Sequence, residues 1–285
     1  MSKLSEQMND DMLVRGFAAR TRESYLAQVR GLAKYYHRSP DQLSEEEVQG
    51  YLVYLLKERA LAWSSCNQAA SAFRFFYHHT LKRKAAEFVV PAARQPQRLP
   101  EVPSREEIAR IIDQTANIRE RVIFELAYGG GLRVGEIASL RVRDIDSEQK
   151  CIWIRGGKGG KDRTTLLSEQ LLEELRRYWY SVRPGEWLFA RRDGRGPIDT
   201  SSIQRMWTRA KRRAGVTKQC GIHSLRHAFA THLLESGTDL VTVQRLLGHG
   251  SVKTTMRYLH LARSHLLAST SPLDLLLATE CETEL

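Results

Sequence analysis

Four of the chain's eight prolines crowd into one short stretch, Pro91, Pro96, Pro100 and Pro103, between Val89 and Pro103. Proline fixes its own φ, removes a backbone donor and blocks helix, so such a stretch extends and stiffens rather than packs. This spacing predicts a linker over 89–103 with a folded module on each side. Ser104 follows at once, with Glu107 three residues later, the pattern of a capping box that opens a helix. A chain of 285 residues divides naturally into two domains. The expected boundaries are 1–88 for the first, 104–262 for the second, and 263–285 for a tail of different character.

The first module reads as helical over 12–84. Tyr25, Val29, Leu32 and Tyr36 recur at helical spacing, as do Val48, Leu52, Leu55 and Leu56. Ser44 with Glu47 forms a second capping-box pattern. A further segment from Cys66 to Leu81 carries Phe73, Phe76 and Tyr77 and ends in Lys82-Arg83-Lys84.

The second module also reads as helical, with one clear β pattern. Cys151-Ile152-Trp153-Ile154, a Gly-rich run over Arg155–Lys161, and Thr164-Thr165-Leu166-Leu167 form a predicted hairpin. Helices are expected at Glu169–Val182, Ser201–Ala214, Leu225–Ser236, Leu240–Leu247 and Val252–Ala262. In the tail, Ser271-Pro272 can start a short helix over Leu273–Leu277, and Glu280, Glu282 and Glu284 follow.

Forty-four Lys and Arg against 33 Asp and Glu give a net charge of +11, which favours a polyanion as partner, nucleic acid before an acidic membrane surface. The first 100 residues carry 15 basic against 10 acidic side chains, so the N-terminal module is itself basic. No apolar run reaches the roughly 18 residues of a membrane helix, and MSKLSEQMNDDM lacks the apolar stretch of a signal peptide. Cys66, Cys151, Cys220 and Cys281 lie far apart with no CxxC pair. Free thiols in a cytoplasmic protein, with neither disulfide framework nor zinc site, are the expectation.

The residues that carry chemistry lie in the second module: Gly131-Leu132-Arg133-Val134-Gly135-Glu136, then His223-Ser224-Leu225-Arg226-His227, then Leu246-Leu247-Gly248-His249, then Met256-Arg257-Tyr258. Each alone has an ordinary reading, as a solvated charge, a core histidine or a packed tyrosine. Together they fit phosphoryl transfer. A tyrosine hydroxyl ionises near pH 10 and attacks poorly at neutral pH without a positive environment and a base. Two arginines grip phosphate oxygens as forked donors better than lysines do. A mobile lysine can protonate the leaving oxygen, and Gly156-Gly157-Lys158-Gly159-Gly160-Lys161 offers two on a loop. That loop is no nucleotide-binding P-loop, because Asp162 stands where Ser or Thr is needed. Taken alone it also fits a tight turn. Glu136, three residues after Arg133, is either a carboxylate supporting that arginine or a plain surface charge.

Arg133 in GGLRVGE, Lys158 in GGKGGK, His223 and Arg226 in HSLRHAFATHLL, His249 in LLGHGSVKTT and Tyr258 in MRYLH, in that order, resemble the tyrosine recombinase (phage integrase) family. The resemblance covers nearly the whole chain. It implies a mainly α fold with a small β-hairpin or sheet in the catalytic domain, joined to a helical, SAM-like core-binding domain as a two-domain DNA clamp. It implies that Tyr258 attacks DNA to leave a 3′-phosphotyrosyl bond, that Arg133 and Arg226 bind the scissile phosphate, and that Lys158 protonates the leaving oxygen, with Lys161 in reserve. His223 would be base or proton shuttle for Tyr258, and His249 a donor to the phosphate. His227 and His232 fall outside the matching positions and read as structural. No metal and no cofactor is implied.

Within the family the wording is similar to Xer-like and integron- or transposon-associated recombinases. The interval from Lys158 to His223 is too short for the extra helical insertion of integron integrases. Candidate DNA contacts are Lys82, Arg83, Lys84, Arg141, Arg143, Lys161, Arg205, Arg209, Lys211, Arg212 and Arg213, each of which could equally be a solvated surface charge. The implied partners are double-stranded recombination sites and further copies of the chain, as a tetramer on two sites with the tail docked on a neighbouring protomer or, alternatively, folded back onto its own catalytic domain. Type IB topoisomerase-like relaxation and a non-catalytic DNA-binding regulator are the competing functions.

Overall fold

The computed structural model describes residues 3–83, 101–156 and 162–259, which fall into two compact units, Met1–Gln97 and Arg98–Leu285. Lys84, Lys158, Lys161, most of the proline stretch, Cys281 and the expected helix over Leu273–Leu277 lie outside the described residues.

The first unit is helical. α1 (Lys3–Val14) is followed by α2 (Ala19–Tyr36), α3 (Glu45–Lys57) and α4 (Trp63–Phe75), which runs on into a wider turn over Phe76–Thr80. The predicted box at Ser44 and Glu47 closes in both directions and starts α3. Met8, Met12, Leu32, Val48, Leu52 and Phe73 are fully buried together. The helical region therefore begins nine residues before the expected position 12. The polar wording of α1 hides it, because only Met8 and Met12, one turn apart, are fully buried, with Leu4 packed partly against the same core, and so few apolar positions among polar ones do not establish a period.

The second unit opens on α5 (Arg105–Asp113), capped by Ser104 and Glu107 as expected. α6 (Ile118–Gly129) and a single-turn α7 (Val134–Ala138) follow. The hairpin forms from β2 (Cys151–Ile154) and β3 (Arg163–Leu166), with Cys151 opposite Leu166 and Ile154 opposite Arg163. A further strand, β1 (Ile145–Asp146), pairs with β2 to give a three-stranded antiparallel sheet. Two residues are too few to show alternation, so the sequence does not reveal β1.

α8 (Glu169–Val182), α9 (Thr200–Arg213), α10 (His223–Glu235), α11 (Leu240–Leu247) and α12 (Val252–Leu259) complete the described chain. α10 starts two residues earlier than expected, which puts His223 inside its first turn. The main core gathers residues such as Ile123, Phe124, Ile152, Phe189, Ile203 and Leu225. A smaller cluster of Phe229, Ala230, Leu234, Val243, Leu247 and Tyr258 ties α10, α11 and α12 together. That cluster sets where Tyr258 stands.

Cys66, Cys151 and Cys220 are free thiols. Among the described residues no helix is long and apolar enough to cross a membrane, and no group of three or more His, Cys, Asp or Glu side chains could hold a metal.

Candidate active site

Three arginines meet around one carboxylate. Arg133 is the residue before α7, and Glu136 in the first turn of that helix accepts from both its backbone N–H and its Nη1, each at 2.8 Å. From the opposite side Arg163 of β3 forks onto both Glu136 oxygens at 2.8 Å. Arg226 Nη1 lies 3.8 Å from Glu136 Oε2. Burial alone would push the Glu136 carboxyl up, but the bonds from Arg163 and Arg133 outweigh it and hold the group down at about 2.

Arg226 is 1% exposed. Its Nη1 donates to the Gly131 carbonyl at 2.6 Å and its Nη2 to the Leu247 carbonyl. Arg163 Nε donates to the Leu246 carbonyl at 3.1 Å. Both of those carbonyls end α11, where unpaired C=O groups and the helix dipole favour a cation. Burial, then repulsion from Arg133, lowers Arg226 to about 9, so it stays charged at neutral pH.

Two glycines make this approach possible. Gly131 has φ +61°, and a Cβ on it would lie 2.4 Å from the Phe229 ring. Gly248 has φ +62° after the last turn of α11, and a Cβ there would lie 2.5 Å from the Arg163 side chain. Only glycine accommodates both the left-handed backbone and the close contact.

Tyr258 of α12 is 5% exposed, and its hydroxyl is hydrogen-bonded to His227 Nδ1 at 2.8 Å. The His249 ring stacks parallel to Tyr258 with centroids 6.2 Å apart, and its Nδ1 bonds to Thr255 Oγ1 at 2.9 Å. Its Nε2 is then the nitrogen available to a phosphate. His223, one turn before His227 on α10, meets it edge-on at 4.7 Å. Burial, reinforced by neighbouring positive charge, lowers all three imidazoles, His227 and His249 to about 4. Burial raises the Tyr258 phenol, against the pull of Arg226, Arg257 and Arg133. The imidazoles are therefore neutral at pH 7, and the fixed positive charge belongs to the arginines.

These groups line a cavity of about 250 Å³ that holds Arg133, His223, Arg226, His249 and Tyr258 together, with His227, Thr254 and Arg257. Five of the six residues singled out by the motifs thus converge, and the sixth, Lys158, lies outside the described residues. His227, which lies outside the motif positions, is the residue bonded to Tyr258, whereas no hydrogen bond joins His223 to that hydroxyl among the described residues. Arg163 was missed altogether, because a lone arginine after a Gly-rich turn carries no spacing that points to Glu136. His232 does sit as read, bonded to the Tyr128 hydroxyl at 2.9 Å.

The candidate DNA contacts divide. Arg143 and Arg212 are exposed. Arg205 bonds to Ser202 at 3.0 Å on an exposed turn of α9, and Arg209 stands 3.8 Å from Glu120 while more than half exposed. Others are committed to the fold. Lys211 Nζ donates to the Lys218 carbonyl at 2.6 Å, and Arg213 Nε to the Gln114 carbonyl at 2.7 Å. Arg141 pairs with Glu186 at 3.0 Å and stacks on Trp187. In the first unit Arg83 donates to the Leu43 and Asp41 carbonyls and packs over Tyr77, while Lys82 is exposed. Arg205 and Arg209 share a separate cavity of about 530 Å³ with Arg119, Arg191 and Arg192, three arginines that sequence patterning did not single out.

Residues 102–265 match the Phage integrase family, and residues 4–87 match the phage integrase N-terminal SAM-like domain. The Sinorhizobium fredii protein y4qK, itself a predicted integrase/recombinase, is 40% identical over 278 residues, covering 97% of this chain and 90% of that protein. The tyrosine recombinase XerA of Pyrococcus furiosus is 35% identical over 233 residues, covering 79% of this chain and 80% of the other. In fold, the chain is similar to the XerH site-specific recombinase in its post-cleavage complex with difH DNA, with a TM-score of 0.69, 21% identity, and coverage of 92% of this chain and 82% of that one.

Proposed function

We propose, from the premise that this chain belongs to the phage integrase family of tyrosine recombinases, that Tyr258 is the nucleophile with which it cuts and rejoins DNA at specific sites. The chain is a tyrosine-type site-specific recombinase, and the observation that carries the assignment of its site is the convergence of Arg133, Arg226, His249 and Tyr258 on one cavity. The Tyr258 oxygen attacks the scissile phosphorus, a 3′-phosphotyrosyl bond forms, and the bond to the 5′-oxygen breaks. Arg133 and Arg226 hold the non-bridging oxygens, and charge-assisted bonds from fixed donors there are worth most as negative charge builds. His249 Nε2 adds a neutral donor. Lys158 supplies the proton to the leaving oxygen. The covalent link conserves the bond for rejoining, so no nucleotide cofactor enters the scheme.

The partner in this reading is duplex DNA carrying the recombination site, bound by residues 1–88 and by residues 104–262. The active assembly is a tetramer on two sites, with residues 263–285 docked on a neighbouring protomer; a Leu-rich segment too short to fold alone supports that placement. Phosphate contacts come from the exposed set, Arg143, Arg205, Arg209 and Arg212 with Lys82, joined by Arg119, Arg191 and Arg192. Cytoplasmic residence follows from the substrate.

A nicked suicide duplex, built on a site that the protein selects from a random-sequence pool, tests the assignment. The wild type should trap a covalent protein–DNA adduct, with or without EDTA, and Tyr258→Phe should trap none. An undiminished adduct from Tyr258→Phe contradicts the assignment.

A further inference from the structure

Tyr258 has to lose a proton to attack, and the cavity offers few places for it. Arg133, Arg226 and Arg257 are cations with no lone pair to give. His249 Nδ1 is occupied by Thr255, and its ring lies parallel to the Tyr258 ring rather than end-on to the hydroxyl. His223 stands on the first turn of α10 and makes no hydrogen bond to Tyr258 among the described residues. His227 Nδ1 is 2.8 Å from the Tyr258 oxygen, within the range for direct proton transfer. In the tautomer protonated on Nε2, His227 Nδ1 accepts from the phenol, and that is the arrangement a proton transfer needs.

We propose that His227 is a catalytic residue that takes the Tyr258 proton during cleavage and returns it during rejoining, while His223 faces the phosphate. This rests on Tyr258 being the nucleophile. The proton balance is closed within the site. As the Tyr258 oxygen bonds to phosphorus, its proton passes to His227 Nδ1 and the imidazole becomes imidazolium. The bond to the 5′-oxygen breaks, and that oxygen is protonated separately by Lys158. In rejoining, the 5′-hydroxyl returns its proton to Lys158 as its oxygen bonds to phosphorus, the Tyr258–phosphorus bond breaks, and the imidazolium hands its proton back to the departing phenolate. Both half-reactions therefore need His227.

The surroundings suit the role. His227 is half-buried, with His223 and Arg226 near it on α10 and Arg257 and Tyr258 on α12. Burial first, and then these neighbours, keep its ring neutral and able to accept before cleavage. Entry of the phosphate adds negative charge to a cavity rich in arginine, and that charge is what an imidazolium at this position needs.

The test is single-turnover cleavage of the suicide duplex at saturating protein, using wild type, His227→Ala, His227→Asn and His223→Ala. Each is prepared with tyrosine and with a fluorinated tyrosine of lower phenol pKa at position 258. General-base loss should slow His227→Ala by roughly 100-fold, with DNA binding and thermal unfolding midpoint held. His227→Asn can hold the hydroxyl through its amide oxygen but cannot take the proton, and should be as slow. The fluorinated tyrosine should restore most of the rate in both His227 variants and little in His223→Ala. Wild-type cleavage rates in His227→Ala or His227→Asn overturn the proposal. So does a loss that the fluorinated tyrosine leaves untouched, which marks His227 as structural only. An adduct from Tyr258→Phe is a different outcome and sinks the nucleophile assignment beneath it.

Discussion

The chain carries two groups of arginines that composition cannot tell apart. Arg133 and Arg226 line the cavity beside Tyr258 and Arg163 joins them on Glu136, the three held by that one carboxylate and three backbone carbonyls. On α9, Arg205, Arg209 and Arg212 stand in solvent with at most one long-range partner each. Both groups suit a polyanion, but on different terms. A buried guanidinium fixed by several acceptors meets a phosphate without reorganising, which is where transition-state stabilisation arises. A solvated one attracts DNA by charge and counterion release, and the salt concentration sets its strength. In the proposed mechanism fixation separates catalysis from binding, since the charge is common to both.

Each side of that contrast can be broken separately. The largest effect should come from Arg226→Ala, which removes a fixed donor: cleavage should fall by roughly 100- to 1000-fold at saturating DNA, with binding little changed in a mobility-shift titration. Glu136→Ala should come next. It strands Arg163, which is 10% exposed, next to two other cations, and breaking a buried pair of this kind costs about 3–5 kcal/mol, readable as a fall in denaturation midpoint.

Acid should expose the same cavity in two stages. With folded values near 4 against an ordinary 6.5, His227 and His249 take up protons more readily in the unfolded chain, so stability falls as pH drops from about 6.5 towards 4. Glu136, held at about 2 against an ordinary 4.5, stabilises the fold above that ordinary value and loses its contribution as pH falls from 4.5 towards 2. His227→Asn should roughly halve the first stage, since His249 remains, and leave the second. The smallest effect belongs to the solvated group. Arg205→Ala or Arg209→Ala should reduce the slope of log affinity against log salt by about one unit, with cleavage at saturating DNA unchanged.

The same division explains what the sequence disclosed. Arg133, Arg226, His249 and Tyr258 were legible because each sits in a distinctive word, and the words come in a fixed order. The hairpin was legible from a Gly-rich turn between β-rich runs, and α3 and α5 from their capping boxes. Arg163 and His227 were not. Their importance comes from three-dimensional neighbours, Glu136 27 residues away and Tyr258 31 residues away, and nothing in local spacing encodes such a contact. Nor could charge alone sort Arg205 from Lys211 on one helix. The difference is whether a loop carbonyl, such as that of Lys218, closes over the cation. α1 and β1 escaped because two core positions and a two-residue strand are too little for periodicity to register.

In the proposed mechanism the oxygen joining protein to DNA is that of Tyr258, made competent by the arginines fixed around it. Proteolysis of the trapped adduct and mass spectrometry of the nucleotide-bearing peptide locate that oxygen. A single modified peptide containing Met256-Arg257-Tyr258 is expected, with the phosphate on Tyr258. A nucleotide carried by any other residue, or spread over several tyrosines, contradicts it.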